Sequence, residues 1–182
     1  VLGERLIPWE TRLILAARKQ IGVTLSYDPA YASLDYPNGD VPRARGVCTD
    51  VVVRAYRDAF DFDLQTAVHE DMAAAFSAYP KIWGLTRPDR NIDHRRVPNL
   101  ETYFGRHGTR HPVPSALTDW QAGDIYTMRL NGSLPHVGIV SDKVTPMGHR
   151  YVLHNIGAGT AEDDILGMFD DEQRFRFEPP AA

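Results

Sequence analysis

Residues 46–60 read GVCTDVVVRAYRDAF, and this stretch decides the fold. Cys48, Val51, Val52, Ala55, Tyr56, Ala59 and Phe60 recur at steps of three and four, which makes one apolar helical face. Gly46 breaks the pattern just ahead of it, so the spacing predicts a helix that opens at or beside Cys48. Sharing the stripe of Val52 and Ala55, the cysteine side chain should turn inward. Asp50 falls in the first turn, where a negative charge suits the helix dipole. Arg54 lies four residues further on, at the spacing of a helical ion pair.

Working outward, a first helix fits 9–21, with Leu13, Ala16, Ala17 and Ile21 on one stripe and Gly22 as its stop. Residues 22–47 are irregular and carry Pro29, Pro37 and Pro42 among Tyr27, Tyr31 and Tyr36. A third helix fits 64–79 on Leu64, Val68, Met72, Ala75, Phe76 and Tyr79, with Pro80 ending it. Residues 80–120 read as loop-rich. Strand-like runs then follow at 124–130, 136–141, 150–156 and 174–177. Helices first and strands second is the order of an α+β domain with an antiparallel sheet. With no repeat or linker, residues 1–182 read as a single domain.

Composition narrows the function. The chain has 182 residues, 43% of them hydrophobic, with a net charge of −4 and no basic run, so a nucleic-acid partner is not expected. No stretch approaches the roughly 18–20 apolar residues of a membrane span. One cysteine excludes an internal disulfide and a cysteine-rich zinc site, and neither a metal nor another cofactor is expected. Val1 in place of Met reads as a trimmed start, by signal-peptide removal or by shortening. The oligomeric state stays open.

Cysteine attacks as thiolate, so a cysteine hydrolase sets its thiol at a helix N-terminus beside a histidine. Cys48 meets the first requirement. A thiol so placed is expected to titrate below the ordinary ~8.5. Of seven histidines, His107, His111 and His149 lie among loop residues, and His69 lies off the stripe of its helix. His136 and His154 instead sit in apolar strands, where an unpartnered imidazole is costly. Cys48 is therefore the candidate nucleophile and His136 its base.

A hairpin turning at Thr145–Gly148 can pair His136 with His154, Gly138 with Val152 and Val140 with Arg150. Opposed residues share a face with Cβ atoms about 5 Å apart. A slip of one residue would bring Asn155 across instead, and alternation forbids both from facing His136. The third member is thus His154, with Asn155 as the alternative. Gly138 clears space beside the base, and Asp124 reads as a turn residue rather than a catalytic acid. The segment NIDHRRVPNL at 91–100 concentrates charge between loops. Asp50, Arg95 and Arg96 are the candidate substrate-binding residues, an arginine pair being suited to gripping a carboxylate.

The runs GVCTDVVVRA, QAGDIYTM, LPHVGIVSD and YVLHNIG resemble the NlpC-type, papain-like cysteine peptidases. More narrowly, YDPAY, YPNGDVPRARGVCTDVV, HEDM, NIDHRRVPNL and HNIG resemble the bacterial domain-of-unknown-function family 1287. The resemblance implies a papain-like fold and a periplasmic or secreted thiol hydrolase of the bacterial envelope. Its substrates would be amide bonds of peptides or peptidoglycan-derived stems. It carries the nucleophile onto Cys48, the base onto His136 and the orienting position onto His154. An auxiliary oxyanion tyrosine falls on Tyr27, with Tyr31 as competitor. The chain departs from the wider pattern in reading Cys-Thr-Asp after the glycine and in an insertion over residues 62–120. A thiol acyltransferase on the same fold and a non-catalytic envelope-binding module are the alternatives.

Overall fold

The apolar face opened by Cys48 is the contact around which the rest assembles. The computed structural model describes residues 7–181. Four helices form: α1 (Trp9–Arg18), α2 (Cys48–Phe60), α3 (Leu64–Ala74) and α4 (Val97–His107). Strands β1 (Ser26–Tyr27) and β2 (Arg45–Gly46) make a small parallel pair. The main sheet joins β3 (Thr109–His111), β4 (Ile125–Leu130), β5 (Leu134–Val144), β6 (Arg150–Asn155), β7 (Thr160–Asp163) and β8 (Asp170–Arg176). Its six strands run in the order β3-β8-β4-β5-β6-β7, every neighbour antiparallel. The architecture is α+β, as the sequence predicts.

Period-two alternation divides the sheet into two buried faces. On one, Ile125, Val137, Ile139, Leu153 and Phe175 pack against Leu13, Ile14 and Ala17 of α1 and Val51, Val52 and Ala55 of α2. On the other, Tyr126, Met128, Val140 and Val152 pack with Trp120, Ile165 and Leu166. Each fully buried Val, Leu or Ile contributes about 1.5–3 kcal/mol, and truncating Leu153 to Ala should cost about 2–5 kcal/mol. Because β4, β5 and β6 are covered on both sides, any side chain in them with a polar head must find a partner inside the protein.

Several expectations are corrected. Helix α1 stops at Arg18, leaving Ile21 exposed ahead of Gly22 (φ +82°). Helix α3 ends at Ala74 and a short 3₁₀ turn, Phe76–Ala78, takes over. Residues 80–120 are not all loop, since they hold the 3₁₀ turn Asp93–Arg95, helix α4 and strand β3. Pro98 lies in the first turn of α4, where a missing N–H breaks no helical bond, so it does not prevent a helix there. Arg54 does not pair with Asp50. It reaches Asp40 through Nε at 2.9 Å and Nη2 at 3.0 Å. Asp124 does hold the turn into β4, its Oδ2 accepting from Gln121 N at 2.8 Å, and, fully buried, it also ties that turn to β8 through Arg174 and Arg176, both at 2.8 Å.

The β5–β6 register also differs. Ile139 pairs with Leu153 and Val140 with Val152, and after an irregularity Val144 pairs with Arg150. Continuing that ladder sets His154 opposite Gly138, two residues from the expected place. An even offset keeps every side chain on its expected face, so His154 still shares the face of His136. Gly138 clears room for β6, not for a helix: a Cβ there would meet Val152 Cγ1 at 2.4 Å and His154 Cβ at 3.2 Å. No helix among the described residues is long and apolar enough to cross a membrane.

Candidate active site

Val47 is extended (φ −118°, ψ 178°) and delivers Cys48 as the first residue of α2. Cys48 is 4% exposed, and three nearby backbone amides favour its thiolate form: its own, that of Thr49, and that of Val137 on β5. The first two follow from the helix N-terminus, where amides have no helical acceptor. The third has a sheet-level cause. Val140 exchanges bonds with Asp124 O and Gly123 N on the β4 side, both at 2.9 Å, so the amide of Val137, three positions back, turns toward β6. The β5–β6 ladder runs only as far as Ile139 and Leu153, so it does not engage that amide.

His136 immediately precedes that amide and leaves β5 on the other face, opposite Met128 of β4. Its Nε2 meets Nδ1 of His154 at 2.8 Å, the rings edge-on at 71°. His154 in turn reaches Asp163 Oδ2 through Nε2 at 2.8 Å. Asn155 faces the helix side, and its side chain is consumed by the backbone. Its Nδ2 donates to Ser26 O at 3.2 Å and Gly46 O at 3.4 Å, while Oδ1 accepts from Gly157 and Gly159, both at 3.2 Å. Of the two candidates for third member, His154 is the one that touches His136.

Tyr27 lines the same cleft as Cys48, and burial with the neighbouring sulfur pushes its phenol up to about 12. Tyr31 is turned away, donating to Asp89 Oδ2 at 2.9 Å. Burial pushes the Cys48 thiol up to about 11, with Asp50 adding to the shift, and outweighs the three amides that favour thiolate. Burial, with His154 beside it, pulls His136 down to about 3. The resting pair is therefore neutral thiol and neutral imidazole, not the lowered thiol expected from a helix N-terminus alone. Desolvation is the effect the sequence concealed.

The charged segment turns inward. Asp93, His94 and Arg95 are buried. Arg95 binds Asp50 through Nε at 3.1 Å and Nη2 at 2.9 Å, and Asp50 Oδ2 also accepts the Val47 amide at 2.8 Å. Asp50 and Arg95 thus brace the first turn of α2, and Arg95 also lines the cleft beside Cys48. Arg96 differs. Its guanidinium lies 4.3 Å over the Trp83 ring, makes no hydrogen bond among the described residues, and has Nη1 buried without a partner. Arg96 and Trp83 line a cleft of about 200 Å³ together with Cys48, Tyr27, Val97 and Pro135. No group of three or more His, Cys, Asp or Glu side chains among the described residues is placed to hold a metal.

Two residues of this site escaped the sequence reading. Asp163 lies on β7, a four-residue strand too short for its alternation to stand out, and Trp83 lies in a loop without periodicity. The family model described as "Domain of unknown function (DUF1287)" matches residues 14–177. The "Uncharacterized protein YijF" of Escherichia coli (strain K12) is 57% identical over 158 residues, 86% of this chain and 77% of that protein. The chain belongs to the DUF1287 family.

Proposed function

We propose that this DUF1287 chain is a papain-like, NlpC-type thiol hydrolase. It opens amide bonds of bacterial cell-wall peptides and works in the periplasm or outside the cell. One observation carries the reading. A buried thiol has its thiolate favoured by the amide of the residue after His136, and His136 is bonded to His154 at 2.8 Å with no second hydrogen bond at Nδ1 among the described residues.

The chemistry runs from the neutral pair. As Cys48 sulfur attacks the carbonyl carbon, its proton passes to His136 Nδ1, and His154 steadies the imidazolium from the other nitrogen. The oxyanion is met by the Tyr27 hydroxyl and by amides at the α2 N-terminus. The amine leaves with the proton held by His136. Water, giving a proton to the same nitrogen, then adds to the thioester carbonyl; the C–S bond breaks, the acid leaves, and His136 returns its proton to the Cys48 sulfur. Arg96, stacked on Trp83 and lacking an internal acceptor, is the group suited to a substrate carboxylate.

The test is incubation with purified muropeptides, products read by mass spectrometry, wild type against Cys48→Ala. A new free carboxylate and amine formed by wild type alone is the expected result. Muropeptides left unchanged by wild type would overturn the reading. Products in which the acyl group has moved to another acceptor would assign the thioester to transfer instead of hydrolysis.

A further inference from the structure

We infer that Asp163 is a positioning residue that locks the buried histidine pair in the one tautomer a base at His136 requires. The chain of contacts is short and complete: His136 Nε2 to His154 Nδ1 at 2.8 Å, then His154 Nε2 to Asp163 Oδ2 at 2.8 Å. A neutral imidazole has one donor nitrogen and one acceptor, and a carboxylate has only lone pairs to offer. The bond to Asp163 therefore needs the proton of His154 on Nε2. That leaves His154 Nδ1 as a lone pair, so the proton of His136 must lie on Nε2, and His136 Nδ1 is bare. The reverse arrangement would point a ring lone pair at a carboxylate. It would also put a proton on the nitrogen that must receive one.

Register explains why this residue can act. β6 and β7 pair His154 with Ala161 and Val152 with Asp163, so Asp163 lies diagonal to His154 on the same face. The two histidines are at most 2% exposed, whereas the Asp163 side chain is 48% exposed. One end of the relay is thus dry and the other wet. Within the pair no group prefers either tautomer, and the preference enters from the solvent end. When His136 takes a proton, the same carboxylate offsets the new charge through His154. The consequence for turnover rests on the thiol-hydrolase reading; the lock itself does not.

The test uses the whole chain labelled with ¹⁵N-histidine, the two ring nitrogens of each imidazole separated by long-range proton–nitrogen correlation at neutral pH. His136→Asn and His154→Asn assign the signals. Wild type should show both histidines as Nε2–H. Asp163→Ala removes the acceptor and Asp163→Asn can donate as well as accept, so both should give mixed tautomers at His136. Asp163→Glu, again acceptor only, should restore the wild-type pattern. Iodoacetamide labelling of Cys48 should fall about tenfold in the Ala and Asn variants and recover in Glu. A His136 held as Nε2–H in all four proteins, or as Nδ1–H in wild type, would overturn the inference. If the tautomers respond as stated but muropeptides are untouched, the lock stands and the hydrolase reading falls; cleavage with unmoved tautomers means the reverse.

Discussion

Two polar assemblies lie on opposite sides of the sheet, and they differ in what they leave over. On the helix side, Asp50 and Arg95 close on each other and on Val47, so the charges are cancelled and the backbone turn is fixed. On the far side, His136, His154 and Asp163 form an open line with one ring nitrogen unspent. Charge density therefore marks a brace here, while the line on the far side keeps hydrogen-bonding capacity unspent. Arg96 repeats the lesson beside Arg95: adjacent in sequence, one is neutralised and the other has a buried Nη1 without a partner.

The sharpest way to break this contrast is to remove the open side. His136→Ala should reduce muropeptide turnover by about 10²–10⁴-fold, the usual contribution of a general base. His154→Ala should approach it, with the fold retained by circular dichroism. If either variant keeps wild-type turnover, the line is structural like its counterpart. Removing the closed side should act on stability instead. Arg95→Ala leaves a buried carboxylate unpaired and should cost about 3–5 kcal/mol in urea unfolding. Turnover per folded molecule should change little.

Acid should tell the two sides apart more gently. His136 titrates at about 3 and His94 at about 4 in the folded chain, against ~6.5 when unfolded. The unfolded chain thus takes up protons first as pH falls below about 6.5. Stability contributed by these neutral rings is complete above that pH and is lost toward pH 4 and below. The loss should be on the order of 2 kcal/mol for each ring, and His94→Gln should flatten the profile. An unchanged urea midpoint from pH 7 to 4.5 would contradict it. The smallest effect belongs to Asn155→Ala, about 1–3 kcal/mol from its lost backbone bonds. Its turnover should track stability alone, in contrast to His154→Ala; an Asn155→Ala protein that stays folded but inactive would reverse the assignment of the third member.

What was legible in the chain had a periodicity or a parity behind it. The start of α2 at Cys48 and the helix-then-strand order came from apolar spacing. The shared face of His136 and His154 survived a register error because two residues is a full period of a strand. What was not legible depended on partners far away in sequence. Nothing near Asp50 announces Arg95, and nothing near His154 announces that Asp163 would lie across from it on a strand of four residues. Helix α4 was masked by Pro98, although Leu100, Tyr103 and Phe104 keep a helical stripe behind it. The direction of the Cys48 shift was missed because a helix N-terminus can be read from sequence, whereas the dry sheet beneath it cannot.

Asn155 has a consequence for motion. Ile156-Gly157-Ala158-Gly159 has the composition of a loose loop, with both glycines at positive φ (151° and 92°). Yet one fully buried side-chain oxygen holds the amides of Gly157 and Gly159, while the nitrogen of the same amide holds the carbonyls before Tyr27 and before Val47. Those two glycine amides should exchange with solvent deuterium as slowly as amides in the sheet, and should quicken together in Asn155→Ala. The strand bearing Tyr27, the segment leading to the thiol and this loop then breathe as one unit, so the Tyr27 wall of the cleft is its stiff wall.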